Sequence, residues 1–317
     1  MLRLLLRRVA LGLLTLWLVS ILVFAATQVL PGNSATAILG KRATPDRLAA
    51  LERQMHLDKP IPAQYGDWLS GVVHGDAGIS LASQQPVTEL LGDRVVNSAF
   101  LVLVAALITV PLAIGLGVWA AIRRDRTADH VISGVTLVLA AVPEFVIGIV
   151  LVVLFATAVM HLFPAVSMLP PGERPWDHPA SVVLVAATLV LAGTPYIARI
   201  MRGSMIEVLE SDYVQMARLK GLPERVVILR HALPNALVPA VQVSALILAW
   251  MAGGIVLVEY VFSYPGIGTA LVDAVDNQDI PVVQAVTLLA GAVYVGLNLT
   301  ADVISIALTP KLRTRLR

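Results

Sequence analysis

Glu144 is the one acidic residue in the interior of a long apolar stretch, with Val131–Pro143 before it and Phe145–Gly172 after it. A carboxyl group in such surroundings is costly unless compensated, so it is a functional candidate by default. It could line a path for a solute or form a salt bridge with a substrate ammonium. The competing uses are protonation and a hydrogen bond to a partner subunit. Pro143 has no backbone N–H, which leaves a carbonyl free and could widen a helix bundle at that point. Gln242 and Asn298, with Thr300, are the other polar candidates for a wet path, and interhelical hydrogen bonding is their competing role. Asp302 lies about 9 Å from the end of its helix, where pairing with Lys311 or Arg313 is expected. The six histidines, at 56, 74, 130, 161, 178 and 231, show no ligand spacing, and cysteine is absent, so no metal site is expected. No nucleophile–base constellation is present, and no catalytic residue is proposed. Gly40-Lys41 lacks the earlier glycine and the following Ser or Thr of a phosphate loop.

A second informative run is Glu207–Pro239. Leu209, Tyr213, Met216 and Leu219 or Lys220 space as one helix face. Gly221 is placed for a left-handed helix cap, and Pro223 suits the first turn of a second helix reaching about Arg230, ahead of Pro234. Alternating charges and close capping suit docking to a soluble protein better than a solvated loop. His231 reads as a capping or docking residue.

The elements that hold these residues must sit in lipid. Of the 317 residues 57% are hydrophobic and 14% charged, against roughly 25% charged in ordinary soluble domains. That excludes a disordered chain, a disulfide scaffold and almost any cytosolic enzyme. Uncharged stretches predict six transmembrane helices near 9–30, 98–122, 131–160, 181–201, 237–258 and 282–308. Pro111, Pro143, Pro195 and Pro239 in or beside them imply a multi-helix bundle in which neighbours re-satisfy freed carbonyls. The fold class is all-α, polytopic, with residues 1–317 as a single membrane domain.

Basic residues set the expected orientation. Arg3, Arg7 and Arg8 precede the first span, and Arg123, Arg124 and Arg126 follow the second. Arg202, Arg218, Lys220, Arg225 and Arg230 follow the fourth, and Lys311, Arg313, Arg315 and Arg317 end the chain. Both termini and the 201–236 segment are thus expected in the cytoplasm. A helix–turn–helix pinned to the membrane excludes nucleic acid as its partner. Val23-Phe24-Ala25 could pass for a signal-peptide cleavage site, but the apolar run is too long for a usual h-region and reads as a retained helix. Residues 31–97 form an external segment, with a helix start at Thr44-Pro45 ahead of Leu48, Leu51 and Met55. A second amphipathic helix carries Tyr65, Trp68, Leu69 and Val72, and a turn follows at Gly75–Gly78. It is either a small cap on the membrane or a docking surface for an external partner. Trp119, Trp176, Tyr260 and Tyr264 read as interface anchors.

The 207–239 segment resembles the cytoplasmic loop of permease subunits in binding-protein-dependent ABC importers. Gln215-Met216-Ala217, Gly221 and Leu233-Pro234 stand at its Glu-Ala-Ala, Gly and Leu-Pro places. Only Ala217 keeps the triplet, and His231 replaces the isoleucine. The dipeptide/oligopeptide branch is closer, through Asp212-Tyr213-Val214, Ala217-Arg218, Lys220-Gly221-Leu222 and Arg230-His231-Ala232-Leu233. Leu30-Pro31-Gly32, Leu57-Asp58-Lys59-Pro60, Gly75–Ser80 and Glu259 with Val261–Gly268 extend the likeness over nearly the whole chain. The resemblance implies the type I ABC importer permease fold and the first permease of a heterodimer. It also implies two ATP-binding subunits carrying ATP and Mg, an external solute-binding protein and a peptide substrate. Asp212, Ala217, Gly221, Leu222, Pro223, Glu224 and Arg225 are the expected ATPase-coupling residues. Nickel, glutathione or haem are the substrate alternatives. A proton-coupled secondary carrier is the rival class, weakened by the single mid-span acid, and a membrane-embedded hydrolase lacks paired catalytic groups.

Overall fold

The computed structural model describes residues 2–29, 59–170 and 172–308. Within hydrocarbon only a backbone ladder closed inside the segment satisfies every N–H and C=O. The apolar stretches accordingly form long helices: α1 (Leu2–Val29), then, beyond the short α2 (Ile61–Val73), α3 (Val87–Ile122). The third stretch divides into α4 (Thr127–Ala141) and α5 (Glu144–Val152), the latter prolonged by a π-turn at Val153–Thr157. Next come α6 (Pro179–Leu209), α7 (Asp212–Leu219), the single turn α8 (Glu224–Val226), α9 (Leu233–Val261), α10 (Ile267–Asp276) and α11 (Ile280–Leu308). Among the described residues five helices are long and apolar enough to cross a membrane, and the bent α4–α5 pair makes up to six spans. No sheet forms among the described residues.

The expected continuous helix over 131–160 is not one. α4 and α5 meet at 105°, because Pro143 cannot donate to the Leu139 carbonyl and forces the residue before it out of helix. Val142 is extended (φ −96°, ψ 129°). Glu144 therefore opens the first turn of α5 instead of lying in mid-helix.

α6 is the central post, packed against α3, α9, α4 and α5. It can be central because small residues let its neighbours approach. At Gly117 of α3, an added Cβ would lie 2.6 Å from the Ala198 carbonyl oxygen and 2.7 Å from the Met201 Cβ. Leu101, Val185, Leu189, Met251, Ile255 and Phe262 fill the main core between α3, α6 and α9. α1 is peripheral and packs on α11 and α2. Gln284 donates to the Thr27 hydroxyl at 2.7 Å, and Arg8 pairs with Asp302 at 2.6 Å. Arg8 thus supplies the partner that was expected from Lys311 or Arg313, which lie outside the described residues.

α1 begins at one end of the bundle, the near end, and finishes at the far end. At the far end α2 matches the expected helix around Tyr65–Val72, with Tyr65 sharing a 2.8 Å hydrogen bond with Ser20 and stacking edge-on to Phe24. The helix expected after Thr44 lies outside the described residues. Tyr264 is no interface anchor: it is fully buried, and its hydroxyl donates to the Asn97 carbonyl at 2.9 Å. Beside it Glu259, also fully buried, accepts from the Ser98 hydroxyl at 2.5 Å and the Gly268 N–H at 2.6 Å, tying α3 and the start of α10 to α9. Trp119, Trp176 and Tyr260 are exposed, as anchors at a lipid surface would be.

Candidate functional site

Two places gather the polar groups the sequence singled out. The first is at the near end. α6 continues to Leu209, so residues 207–209 belong to the long helix and not to a separate cytoplasmic one. After a turn at Glu210–Ser211, α7 starts with Asp212, whose charge suits the positive end of a helix. α7 presses Val214 and Ala217 onto Met201, Met205, Val227 and Ala232, a small buried cluster of its own. The row Tyr213, Met216, Leu219, spaced as a helix face in the sequence, points outward instead, and Leu219 is 81% exposed. The inward face is made of smaller residues because the helix lies close against α6.

Gly221 takes φ +76° with no atom within 4 Å of an added Cβ, so its constraint is backbone conformation and not space. The chain then turns through exposed Leu222 and Pro223 into Glu224 and Arg225. The expected second helix does start after Pro223 but does not stop near Arg230: α8 passes through a π-turn over Val227–Ala232 directly into α9. The wide turn keeps the chain helical through to Pro234, so the element is joined rigidly to a spanning helix. Arg218 straddles the bend, donating to both Glu224 oxygens at 2.7 and 3.2 Å. This guanidinium holds the Glu224 carboxyl below the ordinary carboxylate range, and the Arg218 pKa is raised in turn. Tyr213 accepts a 3.0 Å hydrogen bond from Asn235, which fixes α7 to the start of α9.

A neighbouring ion pair was not singled out in the sequence. Asp129, buried in the first turn of α4, accepts two 2.6 Å hydrogen bonds from Arg202 on α6 and one from the Asp125 N–H. Its only signal was its place among Arg123, Arg124 and Arg126, where an acid reads as a solvated loop charge.

The second place is the α4–α5 break. A cleft of about 250 Å³ is lined by Leu139–Pro143, Glu144, Ala192, Tyr196 and Trp250. Tyr196 donates a long 3.4 Å hydrogen bond to the Ala140 carbonyl. Gln242 and Asn298 do not line that cleft; Gln242 is exposed and Asn298 half-buried, each on its own helix. Asn298 and Thr300 bond to carbonyls one turn back, at 2.8 and 2.9 Å, and among the described residues they make none of the expected interhelical bonds. No cluster of metal ligands occurs among the described residues.

Residues 113–314 match the family described as binding-protein-dependent transport system inner membrane component. Residues 1–102 match its N-terminal counterpart. A putative peptide transport system permease protein of Brucella abortus (strain 2308) is 36% identical over 310 residues, 98% of each chain. A glutathione transport system permease protein of Salmonella choleraesuis is 36% identical over 306 residues, 96% of each. A probable peptide ABC transporter permease protein of Sinorhizobium fredii is 34% identical over 309 residues, 97% of this chain and 98% of that one. A bundle of five apolar spanning helices and one broken span agrees with these likenesses, and the chain belongs to the family of inner membrane components of binding-protein-dependent transport systems, as a permease subunit.

Proposed function

We propose that this chain is one of two homologous permeases of an ABC importer for peptides, and that residues 201–236 couple it to ATP-binding subunits. The observation that carries the reading is the near-end element. It offers an outward apolar row, Tyr213, Met216 and Leu219, beside a charged tip, and it is braced through α7 and the π-turn to two spanning helices. A push on Leu222–Arg225 would reach α6 and α9 without being absorbed by a flexible loop. Asp212, Ala217, Gly221, Leu222, Pro223, Glu224 and Arg225 form the coupling surface, Ala217 from beneath and the others from outside. Two ATP-binding subunits would hold ATP and Mg, since this sequence has no phosphate loop.

The whole chain acts as a single membrane domain, in the cytoplasmic membrane, with both termini and the 201–236 element in the cytoplasm. The basic residues of the near end support that orientation. Residues 31–97 lie outside, where a solute-binding protein would deliver substrate. The relatives' names support peptides, glutathione among them, over nickel or haem. A proton-coupled carrier gains no support from a family defined by a binding protein. In this reading Glu144 lines the translocation pathway, and Gln242 and Asn298, which are not in its cleft, would join it across a surface shared with the second permease.

The test is Gly221→Val. A β-branched residue at this positive φ costs about 1–2 kcal/mol in a conformation the turn requires. Uptake into vesicles should be lost, with reduced co-purification of the ATP-binding subunit or loss of peptide-stimulated ATP hydrolysis. Unchanged values of both would remove this element from the coupling role.

A further inference from the structure

The α4–α5 break gathers a carboxyl group and backbone acceptors in one half-exposed cleft. α4 ends there with carbonyls that carry partial negative charge, offset in part by the positive end of α5, which begins at Glu144. The Leu139 carbonyl has lost its regular donor, since that position is Pro143, and the Ala140 carbonyl has only the long bond from Tyr196. Glu144 adds a carboxyl group at the same place. No Lys, Arg or His lines the cleft. Two aromatic rings close its side: Tyr196 and Trp250 lie 6.3 Å apart between centroids, tilted at 55°. Gly254 leaves room between carboxylate and indole: the point its Cβ would occupy is 3.6 Å from a Glu144 oxygen and 3.8 Å from the Trp250 ring.

Carboxylate, unpaired carbonyls and aromatic faces are the three groups that replace water around an organic cation. An ammonium group has three N–H donors, and this cleft offers acceptors on one side and π-faces on the other. We propose that the cleft at Glu144 is a binding site for a primary ammonium group of the transported solute, such as the amino end of a peptide. The proposal rests on the importer reading above and adds to it the part of the substrate that the permease itself contacts. A volume of about 250 Å³ suits an amino terminus with its first small side chain, and a substrate carboxylate would be repelled from it.

The experiment uses the full complex, both permeases with their ATP-binding subunits, in lipid nanodiscs, titrated calorimetrically without the solute-binding protein. The probes are ethylammonium, alanyl-alanine, N-acetyl-alanyl-alanine and sodium. Ethylammonium and alanyl-alanine should bind, the acetylated peptide about tenfold or more weaker, and sodium should not compete. Glu144→Gln should weaken both amines about tenfold and leave the acetylated peptide unchanged, the size expected for a hydrogen bond to a charged group. Trp250→Leu, which leaves the carboxylate in place, should weaken the amines severalfold and serves if the Gln variant fails to assemble. Equal binding of free and acetylated peptide, equal competition by sodium, or amine binding untouched by both substitutions would each overturn the site. Binding of ethylammonium dependent on Glu144, with no peptide bound, would keep the site and remove the peptide reading. Peptide binding indifferent to Glu144 would do the reverse.

Discussion

Asp129 shows how much a single buried charge can govern. Its carboxylate is almost completely buried, yet it accepts a two-pronged hydrogen bond from Arg202, a backbone N–H and the Ser133 hydroxyl. Removing one member of such a pair leaves the other without compensation, and this usually costs about 3–5 kcal/mol. Arg202 is one-third exposed, so the lower end is expected. Asp129→Ala should lower the thermal unfolding midpoint of the purified complex measurably. Asp129→Asn, which keeps one acceptor, should fall between that variant and the parent. Glu144 invites the opposite expectation: it is partly exposed in a cleft, and Glu144→Gln should leave the unfolding midpoint unchanged. The sequence exposed Glu144 because it stood alone among apolar residues. It hid Asp129, because an acid next to three arginines looks solvated until α6 is seen to bring Arg202 over it.

Among the elements, the positions of the spanning helices were legible and their ends were not. Uncharged length marks the core of each span, but α3 starts at Val87, well before the hydrophobic run, and α6 runs on to Leu209. Both extensions are held by tertiary packing, which leaves little local signal. The bend at Pro143 could be located from the proline but not its angle, which depends on what α6 allows. The central role of α6 rests on close approach, and this gives a prediction. Gly117→Leu would drive a side chain into the Ala198 carbonyl and Met201, and overpacking of this kind typically costs about 1–3 kcal/mol. Gly203→Leu, with nothing within 4 Å of its Cβ, is the matched control. Thermal unfolding of the two variants in one detergent should separate them, the first falling by several degrees and the second staying near the parent. Equal midpoints would mean that α3 and α6 are free to slide.

For the molecule as a whole, the proposed orientation can be read directly, because the chain contains no cysteine and any introduced thiol is the sole one. Asp76→Cys and Asp276→Cys, both exposed at the far end, should react with an impermeant maleimide added to intact cells. Thr127→Cys and Glu224→Cys, exposed at the near end, should react only after the membrane is opened. Labelling of Glu224→Cys from outside would invert the topology and detach the coupling element from any ATP-binding subunit.

The packing of α1 on α11 bears on how the protein is made. Of the described helices, α1 is made before the others and finds its principal partner in α11, about 250 residues later. Until Ile280 and the residues after it have been synthesised, the Thr27 hydroxyl lacks Gln284, Arg8 lacks Asp302, and the notch at Gly12 lacks Val295, whose side chain comes within 2.8 Å of where a Cβ would stand. Until then, among the described residues, α1 has only α2, through Ser20 and Phe24 against Tyr65 and Trp68, to hold its far end. Chains cut short before α11 should carry an α1 fastened only by α2 and accumulate less in the membrane. Supplying α11 as a separate polypeptide should restore their accumulation, as an immunoblot of the membranes would show.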